Sequence, residues 1–492
     1  MSKKKINILA LIVFIALLFR LMGIKHGFPF IFHPDEPTIV RSALGVRFYP
    51  NPGHFDWPHL YIYLNYFLYM IFARVRNIAG SLGLREIIPI LWDESVIFYL
   101  LTRCFTAILG ALTTIPVYLS AKKLFSKKVA IVSALGFACL PFHIWHSHYS
   151  LSDAPMVFML SWAMYFGVKI YKEGKLIDYI LAGLFVGLSA STKYNGGLSA
   201  LVIPLAYILR KIQNKKPIIE WREIQRIVIS GIVSIAGFIL GTPYSVLDFA
   251  TFTRTDGPKG ALWQFKNVGS VSFPEHIIKF FSDLETKLPD DLGYTVLALF
   301  VACWIVVVLK IIKKKVTEEY FSLLLFLIPP LLYIWYISGF EKSRSHYYMI
   351  SYPFIAVVFG HFVLSLSNFF KNKKLGLYLS VLMVVAPMIF SIKNTYTFIR
   401  GDTRNDLKEW LVSSLEPGEP IIYNDRKAED VINHLGAPKY KGLSYMGELE
   451  RAMVIIINPN EISVPENLSE EHYIGNKLRL GPEIKVYRYE TN

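Results

Sequence analysis

Two adjacent carboxylates, Asp35 and Glu36, stand in the stretch Phe32-His-Pro-Asp-Glu-Pro37, a few residues beyond the first apolar block of the chain. Pro34 and Pro37 bracket them. Proline fixes its own φ and pushes the preceding residue away from helical backbone, so the motif reads as a positioned loop. A second polar group, His143, His146, His148 and Asp153, lies in FHIWHSHYSLSDAPM. Lys193 in ASTKYNGG, Tyr244 in LGTPYSVLDF, and Lys342, Arg344 and His346 in FEKSRSHYY complete the set. A carboxylate can take the proton of an incoming hydroxyl or amine. Lys and Arg stabilise a departing phosphate, because charge grows on its oxygens as the bond breaks. A sugar joined to a lipid phosphate needs both groups: its tail lies between helices, the phosphate sits at the interface, and the sugar projects outward to the base.

Each candidate also has a plainer reading. Asp35 and Glu36 are then ordinary loop acids, although ionisable residues at span ends default to functional candidates. Asp153 is then a helix N-cap, since Ser152-Asp-Ala-Pro155 resembles a helix start. Lys193 snorkels to the interface, and Lys342 and Arg344 anchor a span end. The spacing His143-x-x-His146-x-His148 is a possible metal constellation, but only some of these side chains would share a face, so no metal is expected.

The elements that position these residues must be membrane spans. The chain has 492 residues, 53% of them hydrophobic and only 18% charged, with a mean hydropathy of +0.40. The apolar residues come in long blocks, which read as spans near 6–24, 96–121, 129–142, 153–171, 177–190, 196–210, 227–246, 293–312, 320–338, 347–366 and 375–397. The first block follows Ser2-Lys-Lys-Lys5 and lacks a small-x-small cleavage site, so it reads as an uncleaved span rather than a signal peptide. Cys104, Cys139 and Cys303 all fall in apolar blocks and read as packing residues.

The net charge of +15 is not a nucleic-acid signature. Residues 401–492 carry −5, so the first 400 carry +20, concentrated in short loops. With the N-terminus inside, the short cytoplasmic windows hold 22 Lys or Arg in 55 residues, against 3 in 24 for the short outer windows. That contrast sets the orientation, with a cytoplasmic N-terminus and an outer C-terminal region in the cell membrane. The expected fold is an α-helical polytopic membrane protein of about eleven spans over 1–399, with large outer loops 25–95 and 247–292. A small α/β domain of short strands and a helix follows over 400–492. Within the first loop, the tyrosine-rich stretch 58–73 reads either as a further span or as an amphipathic helix in the outer interface, and the count of eleven takes the second. The sequon Asn467-Leu-Ser469 falls in the outer domain.

These stretches, taken in order over residues 6–366, resemble the GT-C glycosyltransferases, specifically the protein O-mannosyltransferase-like and aminoarabinose-transferase-like branch. HPDEP resembles the acidic motif after the first span. Trp57-Pro-His-Leu-Tyr61 resembles an entry to a helix on the membrane. HSHYSLSDAPMVFML, AGLFVGLSASTKYNGGLSALVIPLA and GTPYSVLDF resemble further segments of the branch. The resemblance implies transfer of a sugar from a polyprenyl-monophosphate donor to an extracytoplasmic acceptor, with inversion and without cofactor or metal. It implies Asp35 as base with Glu36 its neighbour, Asp153 in the same cavity, and Lys193, Arg344 and His346 toward the donor phosphate. His33, His59, His148, Tyr194 and Tyr244 are the remaining candidates for the substrate cavity. Where many relatives have an Arg-Tyr pair, this chain has His346-Tyr347, with Arg344 two residues earlier. A transporter or flippase of lipid-linked saccharide is the competing reading; it predicts charges deep in the spans and pseudo-symmetric halves. A membrane scaffold leaves the convergence of five polar segments unexplained.

Overall fold

The computed structural model describes residues 7–81, 95–462, 464–465 and 468–491. The lysines at 3–5, Ile6, residues 82–94 of the first outer loop and Asn467 of the sequon lie outside them. The chain divides into two compact units, Met1–Leu21 with Thr38–Ile392, and Met22–Pro37 with Lys393–Asn492.

Among its described residues the first unit is built of helices joined by turns and loops. Its opening helices are α1 (Ile8–Leu21), α2 (Glu36–Gly45, whose first two residues count with the second unit), α3 (Leu60–Ser81), and α4 (Val96–Leu112) continued by α5 (Thr114–Leu124). Then come α6 (Lys127–Ala138), α7 (Pro141–His146), α8 (Asp153–Lys172), α9 (Leu176–Thr192), α10 (Val202–Gln213) and α11 (Trp221–Gly241). Five shorter helices follow: α12 (Tyr244–Leu247), α13 (Phe249–Phe252), α14 (Ala261–Asn267), α15 (Phe273–Glu285) and α16 (Lys287–Leu292). The unit closes with α17 (Tyr294–Ile312), α18 (Glu318–Ser338), α19 (Tyr352–Phe369) and most of α20 (Lys373–Arg400).

Among the described residues, each apolar block read as a span contains a helix. Among the described residues, six helices are long and apolar enough to cross a membrane by length and composition: 96–124, 221–241, 294–312, 318–338, 345–369 and 373–400. Ile8–Leu21 and Leu176–Thr192 are shorter apolar helices. The block 129–142 breaks between α6 and α7 because Pro141 has no N–H to continue a helix and suits the start of a new one. Large apolar side chains stand outward on several helices, such as Ile232, Ile235 and Leu240 of α11 and Leu377, Val381 and Ile389 of α20. Lipid solvates such a surface at no cost; water does not.

The α8–α9–α11 packing is made possible by small residues. A Cβ at Gly183 or Gly187 of α9 would overlap the backbone carbonyls of Ser230 and Ser234 on α11, and one at Gly241 would overlap the Ser191 hydroxyl. Without a hydrophobic drive between helices in lipid, such close backbone approach supplies the packing energy. In α3, Tyr61 and Tyr69 are buried and hydrogen-bond Thr106 and Thr102 of α4, while Phe67, Ile71, Val75 and Ile78 form an exposed apolar stripe. The stretch 247–292 is a chain of short helices, with α15 burying Asp283 and exposing Phe273, Ile278 and Phe281.

The second unit is a five-stranded sheet with α21 (Thr403–Ser414) packed on one face. Its strands are β1 (Ile421–Tyr423), β2 (Lys439–Lys441), β3 (Arg451–Ile457), β4 (Ser469–Ile474) and β5 (Ile484–Glu490), in the order β2-β1-β3-β5-β4. β1 runs parallel to β2 and β3, and β5 antiparallel to β3 and β4. Residues of β3 alternate between a core with Leu407 and Leu411 of α21 and a second apolar layer around Tyr487 and Tyr489.

Candidate active site

The α8–α9 hairpin does the first part of the positioning. Two helices joined by a short turn bring the start of one beside the end of the other. Asp153 is the first residue of α8, and Lys193 follows the last residue of α9. Their side chains form a buried ion pair, with Lys193 Nζ 2.6 Å from Asp153 Oδ1. Asp153 is not the cap of α8: Ser152 holds that position, without a side-chain cap bond. A carboxylate in the first turn is favoured by the positive end of the helix dipole.

Three further elements converge on this pair. α7 brings His146, whose Nδ1 lies 3.8 Å from Asp153 Oδ2. The 3-10 turn Ser345–Ser351 brings His346, whose ring centre is 5.4 Å from that of His146, and Tyr347. The loop before α3 brings Trp57. Lys193 Nζ lies 5.0 Å from the Trp57 ring and 5.7 Å from the Tyr347 ring. Two aromatic faces against one ammonium are a cation–π arrangement.

The Trp57 loop is itself held in place. The His59 backbone N–H donates to Thr242 Oγ1 at 3.1 Å, and Thr242 Oγ1 lies 2.6 Å from Ser191 Oγ near the end of α9. The His59 ring reaches the His54 carbonyl at 2.8 Å and stacks on Phe55. Burial pushes the His59 imidazole down to about 4, so it is neutral near neutral pH. Tyr194 donates to the Phe55 carbonyl at 2.7 Å and packs against Phe238 and Phe265. The WPH, TPY and STKYN motifs thus form one hydrogen-bonded junction.

The structure therefore brings together Asp153, Lys193 and His346 among the sequence candidates, with His59 and Tyr194 behind them. Arg344 is exposed one residue before the same 3-10 turn, and Tyr244 opens α12. His148 is buried, with Nδ1 2.8 Å from the Ile144 carbonyl. Asp35, Glu36 and His33 lie in the segment that packs with the second unit. There the His33 ring accepts from the Asp35 N–H at 3.2 Å, and the buried Glu36 opens α2. Among the described residues no three His, Cys, Asp or Glu side chains are grouped to hold a metal ion. The three histidines diverge: His143 meets Arg20 at 3.0 Å, His146 faces Asp153, and His148 turns back to the Ile144 carbonyl of α7.

Sequence reasoning left Trp57 out of the candidate set, and it named His146 only within the histidine group, with no role beside Asp153. Trp57 stands in the quoted WPHLY motif, and its signal was the proline that starts a helix beside it. His146 sits seven residues before Asp153, and only the α7 turn brings the two side chains to face each other.

Residues 100–234 match the family described as dolichyl-phosphate-mannose-protein mannosyltransferase. Dolichyl-phosphate-mannose–protein mannosyltransferase 1 of Saccharomyces cerevisiae is 33% identical over 153 residues, 29% of this chain and 18% of that protein. The chain thus matches less than a fifth of the length of that relative. ArnT from Cupriavidus metallidurans, solved bound to undecaprenyl phosphate, aligns with a TM-score of 0.52 at 10% identity over 97% of each chain. The oligosaccharyltransferase of Archaeoglobus fulgidus, in complex with Zn and sulfate, aligns with a TM-score of 0.51 at 13% identity. That alignment covers 92% of this chain and 68% of the archaeal one. The fold is shared with both.

Proposed function

We propose that this chain, which has the GT-C fold of the O-mannosyltransferase/ArnT type, transfers a sugar from a polyprenyl-monophosphate donor to an extracytoplasmic acceptor with inversion. The observation that carries the reading is the buried Asp153–Lys193 pair under Trp57 and Tyr347, with His346 and Arg344 alongside. An ammonium held by one carboxylate and two aromatic faces is a prepared partner for a phosphate. Asp153 aims the Lys193 ammonium; a phosphate then shares it, with Arg344 and His346 adding donors.

Transfer is a single displacement. The acceptor O–H or N–H gives its proton to Asp35, with Glu36 its neighbour. The freed electron pair forms the bond to the anomeric carbon from the face opposite the phosphate. The bond from that carbon to the phosphate oxygen breaks, and its electrons leave with polyprenyl phosphate, stabilised by Lys193. Placement in the cell membrane with the site on the outer side follows from the charge bias of the loops. The yeast relative's name specifies a dolichyl-phosphate-mannose donor and a protein acceptor, and that pair is the first to try.

The test is release of free polyprenyl phosphate by the purified protein in lipid nanodiscs. Labelled polyprenyl-monophosphate sugars are supplied with a crude acceptor extract to wild type and Asp35→Asn. Release that collapses in the variant supports the reaction and the base. Release unaffected by the variant moves the base to Glu36 or Asp153. Movement of labelled lipid across the bilayer without release favours a flippase.

A further inference from the structure

The acidic motif belongs structurally with the C-terminal domain. Residues 22–37 and 393–492 form one compact unit, although more than 350 residues separate them in the chain. The contact is specific. Leu407 and Leu411 of α21 point into the sheet core, while Arg404, Asn405 and Lys408, one turn on a neighbouring face, meet the three alternate phenylalanines Phe28, Phe30 and Phe32.

The Arg404 guanidinium carbon lies 3.5 Å from the Phe32 ring centre. Its plane is fixed by a bidentate pair with Asp402, at 2.8 Å through Nε and 2.8 Å through Nη2. Asp402 also accepts from the Arg404 backbone N–H, capping α21. Lys408 Nζ lies 4.9 Å from the Phe30 ring centre, and the His434 ring meets that ring in a T-shaped contact at 5.0 Å. Asn405 Nδ2 donates to the Phe28 carbonyl at 3.2 Å. The approach to the segment is equally close: Gly23 has a φ of +81°, and a Cβ there would sit 2.7 Å from the Phe398 backbone. Asp35 follows Phe32 by three residues.

We propose that the C-terminal domain is the holder of the FHPDEP loop, and that Arg404, Asn405 and Lys408 are positioning residues for its carboxylates. This rests on the reading of Asp35 as the base. A planar cation already fixed by a carboxylate loses little freedom in stacking on an aromatic face, so it acts as a rigid stop. Loss of the stop lets the loop wander, and misplacement of a reacting group by about 1 Å costs up to about a hundredfold in rate.

The test uses the full chain in nanodiscs, with Arg404→Gln, Arg404→Lys and Lys408→Met. Three quantities are read: hydrogen exchange of peptides spanning 28–40, kcat and donor KM for polyprenyl phosphate release, and Tm. The expected result for Arg404→Gln is about tenfold faster exchange in 28–40 and a kcat lowered about tenfold, with donor KM within about twofold. Arg404→Lys, which keeps the charge, regains part of both. Where Arg404→Gln does not fold, Lys408→Met, at the surface of α21, carries the same readouts with smaller changes. Unchanged exchange in 28–40 overturns the holding contact. Faster exchange with unchanged kcat overturns its role in the reaction. Asp35→Asn made in parallel separates the two ideas. If that variant keeps full activity, the base assignment fails while the exchange result still decides whether the domain holds the loop.

Discussion

Removing either partner of the Asp153–Lys193 pair should cost more than removing both. The atoms lie 2.6 Å apart, and the side chains are only 2% and 11% exposed. At an effective dielectric of about 20, two unit charges at that separation attract by about 6 kcal/mol. Most of this offsets the cost of taking both ions out of water, so the net worth of the pair is small. Loss of one partner leaves the other charge buried and uncompensated, at about 3–5 kcal/mol. Lys193→Met and Asp153→Asn are each expected to lower Tm by several degrees, and the double variant is expected to recover most of that loss. With each single costing about 3 kcal/mol or more and the double about 1, the cycle should give a coupling of at least about 5 kcal/mol. The assay is thermal unfolding of all four proteins in one detergent, with donor KM measured beside it. Activity separates from stability here: the double variant regains Tm but not donor binding, because it still lacks the ammonium. A double variant destabilised by the sum of the two singles would refute the reasoning, since the charges would then not be coupled.

Gly187→Ala should destabilise the α9–α11 contact by about 1–3 kcal/mol through overpacking, read as lost Tm with little change at Gly231, where a Cβ meets nothing. Tyr61→Phe removes the hydroxyl that pairs with Thr106 and should cost about 1 kcal/mol, measured by the same scan. Burial raises the Asp291 carboxyl from 3.8 to about 7, with Asp290 adding to the rise and Lys287, Tyr352 and Ser345 opposing it. Its folded form therefore binds a proton more readily than its unfolded form, and stability falls as pH rises from about 4 to about 7. The loss approaches about 1.4 kcal/mol per pH unit. Asp291→Asn should flatten that part of the Tm–pH curve, and an unchanged slope would show that another group sets it.

The helical blocks were legible because membrane spans announce themselves by run length, which needs no knowledge of neighbours. The stretch 247–292 was not. Its helices are short and amphipathic, so Phe273, Ile278 and Phe281 are diluted among charges and no long apolar run appears. The grouping of Asp153 and Lys193 on one side of the membrane was an expectation from counting crossings, but their pairing depends on how two helix ends abut. Trp57 and His146 depend on loops whose path is set by Thr242, Ser191 and Pro141, and no local pattern encodes that path. In the C-terminal unit, strands β1, β3 and β5 show as apolar runs or alternation, whereas β2 is only Lys-Tyr-Lys and β4 is Ser-Glu-Glu-His-Tyr-Ile, a charged edge strand. The attachment of residues 22–37 to that unit joins opposite ends of the chain and had no sequence signal beyond the alternate phenylalanines.

The 17-residue length of α9 has a consequence for how the protein is made. At 1.5 Å per residue it extends about 26 Å, short of a hydrocarbon layer of about 30 Å. It also carries the buried Asp178, paired with Lys169 of α8, and its glycines give it little grip on lipid alone. A segment of this kind is a poor independent client of the insertion machinery. It becomes stable in the bilayer once α8 has neutralised Asp178 and α11 has filled the groove over Gly183 and Gly187. Biogenesis of this region is then a cooperative event in which α9 waits for α11, and substitutions at the glycine seam reduce the yield of inserted protein before they alter a finished molecule.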